Sequence, residues 1–144
     1  MTRPEDHHLP PKPTDQPDDP AARRLSLRVV TMPRETNLYG TIFGGAILSY
    51  IDQAGFVEAR RHGALRWVTA SMDHIDFKAP VLVGDIVNLY THTIRCGTTS
   101  VKIGVSVEVE RWATGDTHQV TEATMTMVAI DEDGNPVPFR SACC

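Results

Sequence analysis

The chain has 144 residues with a formal net charge of −4, and 41% of its residues are hydrophobic. These values are typical of one globular domain, with or without a tail. Acidic and basic residues are interspersed, which argues against a nucleic-acid surface, and no apolar run is long enough to span a membrane. Because the first residues are acidic and proline-rich and lack an apolar secretory core, we expect a cytoplasmic protein.

Residues 1–24 contain six of the ten prolines together with several charged residues. Such a segment cannot bury enough apolar surface to fold, so we expect a disordered tail. The folded domain is predicted over residues 25–138, followed by a short tail over residues 139–144. His7 and His8 lie in the first tail and are expected to be solvated rather than to bind a metal.

The three cysteines are Cys96, Cys143 and Cys144. An odd count with two adjacent members argues against a disulfide framework, and no Cys and His spacing fits a zinc site. We therefore expect no metal site, and a tail that carries free, reactive thiols.

The middle of the chain predicts a strand, a long helix and then four strands. A glycine-rich loop enters a helix that is apolar nearly all round as far as Val57, and Gly63 is the expected C-cap. Alternation of apolar and polar residues is strongest in the fourth strand, from Val101 to Glu110, which predicts one face on a core. The other strands are expected at residues 25–31, 65–78, 86–95 and 119–130.

Short connections between the last four strands predict antiparallel neighbours. The order of elements fits an α+β fold in which one curved antiparallel sheet wraps around the hydrophobic helix. Such a sheet leaves open edges, and pairing across a two-fold axis would close one of them. We therefore expect a homodimer at least.

Asp52 lies in the middle of the apolar helix, where its helical neighbours Leu48 and Phe56 offer no charge. We expect a buried, unpaired carboxylate with a raised pKa, and either catalysis or a structural hydrogen bond explains such a residue. Gly44 and Gly45 open the helix, where free N–H groups could stabilise an oxyanion, although paired glycines more often serve packing or capping.

Asp52 follows Gly45 by about two helical turns, roughly 10 Å, so the two cannot share one atom within a subunit. A dimer that brings the partner's loop alongside would solve this. Asn37, taken alone, is most often a turn residue. The combination of Asn37, the paired glycines and Asp52 is far more specific than its parts.

At these residues the chain resembles hotdog-fold acyl-CoA thioesterases of the YciA and brain acyl-CoA hydrolase type. The resemblance covers about residues 25–138. It is carried by Asp52 and by residues 37–45, 76–81, 83–85, 97–100, 121–123 and 128–134. It implies a sheet of five to six strands around the central helix, and double-hotdog dimers that often form hexamers as trimers of dimers.

The resemblance also implies roles for particular residues. Asp52 is the catalytic carboxylate, either as general base or as nucleophile through a mixed anhydride. Asn37 from the partner subunit orients water or the thioester, and the Gly45 N–H polarises the thioester carbonyl, while Gly44 in the same loop contacts the substrate. The implied contacts to coenzyme A (CoA) are Gly97, Thr98, Thr99 and Ser100, with Arg95 and Lys102 as candidates for its phosphates.

The sequence thus predicts hydrolysis of acyl-CoA to a carboxylic acid and CoA, with no metal or organic cofactor and no nucleic-acid or membrane partner. Two alternatives remain. A hotdog hydratase or dehydratase would need a His close to the carboxylate, and the helix has none before His62. A non-catalytic acyl-CoA sensor would bind the thioester without cleaving it, which the presence of both Asn37 and Asp52 disfavours.

Overall fold

A computed structural model describes residues 22–140 of the chain. One long helix, α1 (Gly44–Arg60), lies against a single antiparallel sheet of five strands. The strands are β1 (Arg24–Val30), β2 (Arg66–Phe77), β3 (Ile86–Cys96), β4 (Ser100–Glu110) and β5 (Thr117–Ile130). This confirms the predicted α+β fold, a helix packed on a curved sheet.

The strand order in the sheet is β1-β3-β4-β5-β2. The neighbours β3, β4 and β5 pair through short turns, as predicted. The prediction that β2 pairs with β3 is wrong, because β2 pairs with β5 while β3 pairs with β1. The connection over residues 78–85 is long enough to carry the chain across the sheet, so β1 and β2 form its two edges.

Helix α1 has one buried face and one exposed face. Its buried residues include Ile47, Ile51 and Ala54, whereas Asp52 and Phe56 are exposed. The sequence predicts a helix that is apolar nearly all round, but one sheet covers only one side of it, so its opposite side is exposed in the single chain.

The helix approaches the sheet closely at Gly55. A Cβ atom there would lie 2.1 Å from the Sδ atom of Met125, a fully buried residue of β5. In β4, Val101, Ile103, Val105, Val107 and Val109 are all buried, which confirms the predicted alternation. The glycine at position 55 thus lets the helix settle on this apolar surface.

The folded domain extends slightly past both of its predicted bounds. Strand β1 begins at Arg24, and Ala22 is buried. At the other end, the ring of Phe139 packs edge-on against Trp67 with their centroids 5.0 Å apart. The rest of the predicted tails, residues 1–21 and 141–144 with His7 and His8, lies outside the described residues.

The helix also ends earlier than predicted. Its C-cap is Arg61, whose N–H donates to the carbonyls of Glu58 and Ala59. Gly63, the predicted cap, adopts a φ of +153° two residues later and donates its N–H to the Arg60 carbonyl. Across residues 22–140, no helix is long and apolar enough to cross a membrane.

Candidate active site

Asp52 projects from the exposed face of α1 toward β2. Its Oδ1 atom accepts a hydrogen bond from the Thr69 hydroxyl. The prediction of a buried, unpaired carboxylate is therefore wrong for the single chain, since Asp52 is exposed and has a partner. Because Thr69 and Met127 face each other across β2 and β5, the Thr69 hydroxyl also lies 3.2 Å from the Met127 Sδ atom.

A cleft of about 540 Å³ lies beside Asp52. Apart from Asp52, Gln53 and Thr69, its walls are largely apolar and include Leu27, Phe56, Val57, Trp67 and Met127. An apolar cleft with a few convergent polar groups is the usual form of a small-molecule site. The Asp52 carboxylate therefore lies at the edge of an apolar cleft that is suited to a hydrocarbon chain.

The start of α1 presents free backbone donors. The N–H groups of Ala46 and Ile47 both donate to the Phe43 carbonyl, at 3.0 and 3.4 Å. The N–H groups of Gly44 and Gly45 precede them and have no acceptor within the helix. A Cβ at Gly45 would meet nothing within 4 Å. The backbone here is therefore open to a ligand, as the predicted oxyanion role of Gly45 would require.

Asn37 is held within its own loop. Its Oδ1 atom accepts from the backbone N–H groups of Tyr39 and Thr41, at 2.9 and 3.1 Å, and its Nδ2 donates to the Thr41 hydroxyl at 2.7 Å. This geometry matches the turn-residue interpretation and fixes the side chain rigidly. Nδ2 retains a second hydrogen for a ligand. Within residues 22–140, no hydrogen bond joins Asn37 to Asp52.

The predicted CoA-binding turn lies at the same end of the sheet as Thr69. Gly97 donates its N–H to the Ser100 carbonyl at 2.7 Å, and Thr98 and Thr99 form the tip between them. In the sheet, Thr69 pairs with Met127 and Met127 with Val101. The turn is therefore two strand spacings, roughly 10 Å, from Thr69, which donates the hydrogen bond to Asp52.

Arg95 and Lys102 are not brought to Asp52 within one subunit. They face each other across β3 and β4, and Lys102 alternates with the buried Val101 and Ile103. Both side chains therefore lie on the face of the sheet that is turned away from α1. The sheet itself separates them from the carboxylate of their own chain.

Sequence reasoning missed Thr69 and the cleft residue Trp67. Both lie in β2, where a Thr and a Trp in an otherwise ordinary strand give no local indication of a site. The contact with Asp52 depends on the pairing of β2 with β5 and on the curvature of the sheet. Both are long-range properties that one strand's pattern does not encode.

The Thr69 hydroxyl is expected to hold Asp52 in position. Thr69→Val keeps the shape of the side chain and removes the hydrogen bond. We expect kcat to fall about 10-fold, because a misoriented carboxylate loses alignment with its substrate. Thr69→Ser, which keeps the hydroxyl, is the matched control and should retain most of the activity. Equal activity in the Val variant would show that Asp52 needs no positioning by Thr69.

Among the described residues, no group of three or more His, Cys, Asp or Glu side chains is arranged to hold a metal ion. Two histidines, His62 and His92, have pKa values below the ordinary value, mainly because they are partly buried, with nearby Glu58 opposing the shift. His62 follows the C-terminal end of α1, and its Nε2 atom forms a hydrogen bond of 2.7 Å with the Thr93 hydroxyl.

The family model of the thioesterase superfamily matches residues 39–126, which is more than half of the chain. The chain therefore belongs to the thioesterase superfamily, and the resemblance to YciA-type enzymes is confirmed. The acyl-CoA thioester hydrolase YciA of Salmonella typhimurium is 38% identical over 125 residues, which cover 85% of this chain and 94% of that protein.

Solved structures agree with this assignment. The hexameric thioesterase of Yersinia pestis is 37% identical with a TM-score of 0.79, covering 83% of this chain and 97% of that one. A hexameric hotdog-fold thioesterase of Campylobacter jejuni is 42% identical with a TM-score of 0.76, covering 80% and 89%. The fold described above is therefore the hotdog fold.

Proposed function

We infer that this protein is an acyl-CoA thioesterase, which hydrolyses the thioester of acyl-CoA to a carboxylic acid and free CoA. The observation that carries this conclusion is the Asp52 carboxylate, held by Thr69 at the edge of an apolar cleft. The hotdog fold and the relatives named as acyl-CoA thioester hydrolases support it. The cleft offers space for an acyl chain beside a group able to activate water.

We propose that Asp52 performs the chemistry. As a general base it takes a proton from water, whose oxygen attacks the thioester carbonyl, and the sulfur of CoA leaves with a proton. As a nucleophile it forms a mixed anhydride that water then hydrolyses. In both routes the Gly45 N–H stabilises the developing oxyanion, and Thr69 fixes one carboxylate oxygen while the other reacts.

We propose that the site is completed across a homodimer. In one chain, Gly45 lies roughly 10 Å along the helix from Asp52, and Asn37 lies on the loop before it. The exposed side chains Leu38 and Tyr39 beside Asn37, at 97% and 87% exposure, are suited to burial against a partner. The partner's loop then supplies Asn37 and Gly45 to Asp52.

We further propose that three such dimers assemble, as the hexameric relatives suggest. The turn made by Gly97, Thr98, Thr99 and Ser100 contacts the pantetheine arm. Arg95 and Lys102, on the outer face of the sheet, bind the phosphates of a CoA molecule whose acyl end lies in another subunit's site. The reaction needs no metal or organic cofactor, and the cytoplasmic location stays a prediction from the sequence.

The alternative reactions have less support. A hydratase needs a His beside the carboxylate, but His62 lies about 15 Å from Asp52 along the helix direction and bonds to Thr93. A non-catalytic sensor gains nothing from a carboxylate positioned at the cleft. Release of free thiol from a panel of acyl-CoAs separates the three, since a sensor releases none and a hydratase acts on enoyl-CoA.

Mixing two inactive variants tests the composite site. Asn37→Ala and Asp52→Ala subunits are each expected to be inactive. After mild unfolding and refolding together in equal amounts, mixed dimers contain one site with both defects and one intact site. We therefore expect recovery of about one site in four. The measurement is thiol release from the mixture and from each variant refolded alone.

The control is each variant unfolded and refolded alone, and both should stay inactive. No recovery in the mixture, with mixed dimers verified by mass spectrometry, would place Asn37 and Asp52 in one chain's site. Such a result would overturn the shared site but leave thioesterase activity of the wild-type protein unaffected.

A further inference from the structure

Trp67 is the bulkiest wall of the cleft beside Asp52. It lies on β2 two residues before Thr69, whose hydroxyl donates to the Asp52 carboxylate. Alternate residues of a strand share one face of the sheet, so the indole lies on the same side as the Thr69 hydroxyl and faces α1. Along β2, Trp67 and Thr69 are about 7 Å apart.

The indole closes the gap between β2 and the C-terminal end of α1. Its Nε1–H donates to the carbonyl of Gly63 at 3.1 Å, and Gly63 directly follows the helix end. The ring therefore bridges from the strand to the chain beyond the helix. Phe56, which lies one helical turn after Asp52, forms another wall of the same cleft. An acyl chain that extends from Asp52 past Phe56 meets this indole.

The indole is also held in place by packing. Trp67 is only 5% exposed, and the ring of Phe139 packs against it edge-on with the centroids 5.0 Å apart. Phe139 does not line the cleft, and its N–H donates to the Thr98 carbonyl at 3.1 Å. Because side chains in a close-packed interior have no empty space to move into, the indole cannot shift for a longer ligand without losing these contacts.

On the thioesterase function inferred above, we propose that Trp67 limits the length of the acyl chain and makes the protein selective for short-chain acyl-CoA. An extended hydrocarbon chain advances about 1.3 Å per carbon, since its C–C bonds are about 1.5 Å long. About five carbons therefore span the distance from Thr69 to Trp67. Acyl groups of up to about six carbons, the carbonyl included, fit before they reach the indole.

Such a wall discriminates more sharply against long chains than against short ones. A chain that is too long must displace a packed indole or leave the cleft, whereas a chain that is too short only leaves apolar surface uncovered. One methylene in a hydrophobic pocket changes kcat/KM by about 10- to 200-fold. We therefore expect kcat/KM to rise up to about six carbons, and to fall at least about 10-fold between six and ten carbons.

The test measures kcat/KM by thiol release from acyl-CoA esters of two to fourteen carbons. Trp67→Phe and Trp67→Leu shorten the wall in two steps and keep an apolar side chain. For each protein, kcat/KM with the ten-carbon ester is divided by that with the four-carbon ester, so that a general loss of folded protein cancels. We expect this ratio to rise about 10- to 100-fold in Trp67→Leu. Trp67→Phe should lie between, and it keeps the comparison possible if the leucine variant is unstable.

Trp112→Leu is the matched control, because Trp112 is the other tryptophan of the chain, is 72% exposed and does not line the cleft. Its ratio should equal that of the wild type. The proposal is overturned if the wild type hydrolyses the ten-carbon and four-carbon esters equally well, or if both Trp67 variants keep the wild-type ratio. Release of no thiol at any chain length by the wild type would instead overturn the thioesterase function, and the length limit with it.

Discussion

Asp52→Asn is expected to lower kcat about 100- to 10,000-fold, the range that a positioned base contributes. The amide keeps an oxygen that accepts from Thr69, so the side chain stays in place. It lacks the negative charge needed to take a proton from water or to attack the thioester. The measurement is free-thiol release from acyl-CoA under steady-state conditions, with kcat and KM determined separately.

Asp133→Asn is the matched control, because it removes an exposed carboxylate from the turn after β5. Its kinetic constants should equal those of the wild type. If Asp52→Asn kept normal kcat, another group would have to activate the water. A single turnover of the wild type in water labelled with heavy oxygen tests the nucleophilic route, since Asp52 acquires the label only when water attacks the Asp52 carbonyl of a mixed anhydride.

Arg111→Ala is expected to lower the free energy of unfolding by about 3–5 kcal/mol. Arg111 pairs with Asp85, whose side chain is 1% exposed, and also donates to the Pro80 carbonyl at 2.9 Å. Removing the arginine leaves a buried carboxylate whose remaining hydrogen bond comes from the Leu82 N–H. Chemical denaturation at a fixed protein concentration measures the loss.

Arg28→Ala provides the comparison. Arg28 pairs with Glu110 at 3.4 Å, and the two side chains are 55% and 40% exposed. An exposed ion pair of this kind contributes little, so we expect a change of at most about 0.5 kcal/mol. Similar losses in the two variants would mean that burial of Asp85 carries no special cost.

The order of the elements followed from local patterns in the sequence. The alternation of valines with polar residues predicted β4, and a long apolar run preceded by glycines predicted α1. The pairing of β2 with β5 could not be predicted in this way, because it joins residues far apart in the chain. The exposure of Asp52 was missed for the same reason, since it depends on which side of α1 the sheet covers.

The candidate site was likewise predictable from the sequence only in part. The motif of Asn37, Gly45 and Asp52 predicted the reacting groups, and their roles stay a prediction. The orientation of Arg95 could not be read from alternation, since a bulge between Thr93 and Arg95 shifts the register. Thr93 contacts His62 on the helix side, whereas Arg95 pairs with Lys102 on the outer face. A bulge of one residue reverses the face of the sheet on which the following side chains lie, and here it places the charge of Arg95 on the outer face.

The loop around Asn37 displays Leu38, Tyr39 and Phe43, which are 97%, 87% and 53% exposed. On the proposed composite site, a lone chain exposes this apolar loop and lacks the groups that the partner subunit contributes to catalysis. Turnover per chain should therefore fall on dilution, once the complexes separate. On that proposal, hydrolysis begins only when the protein is abundant enough to dimerise, so we expect newly made, unassembled chains to leave acyl-CoA intact.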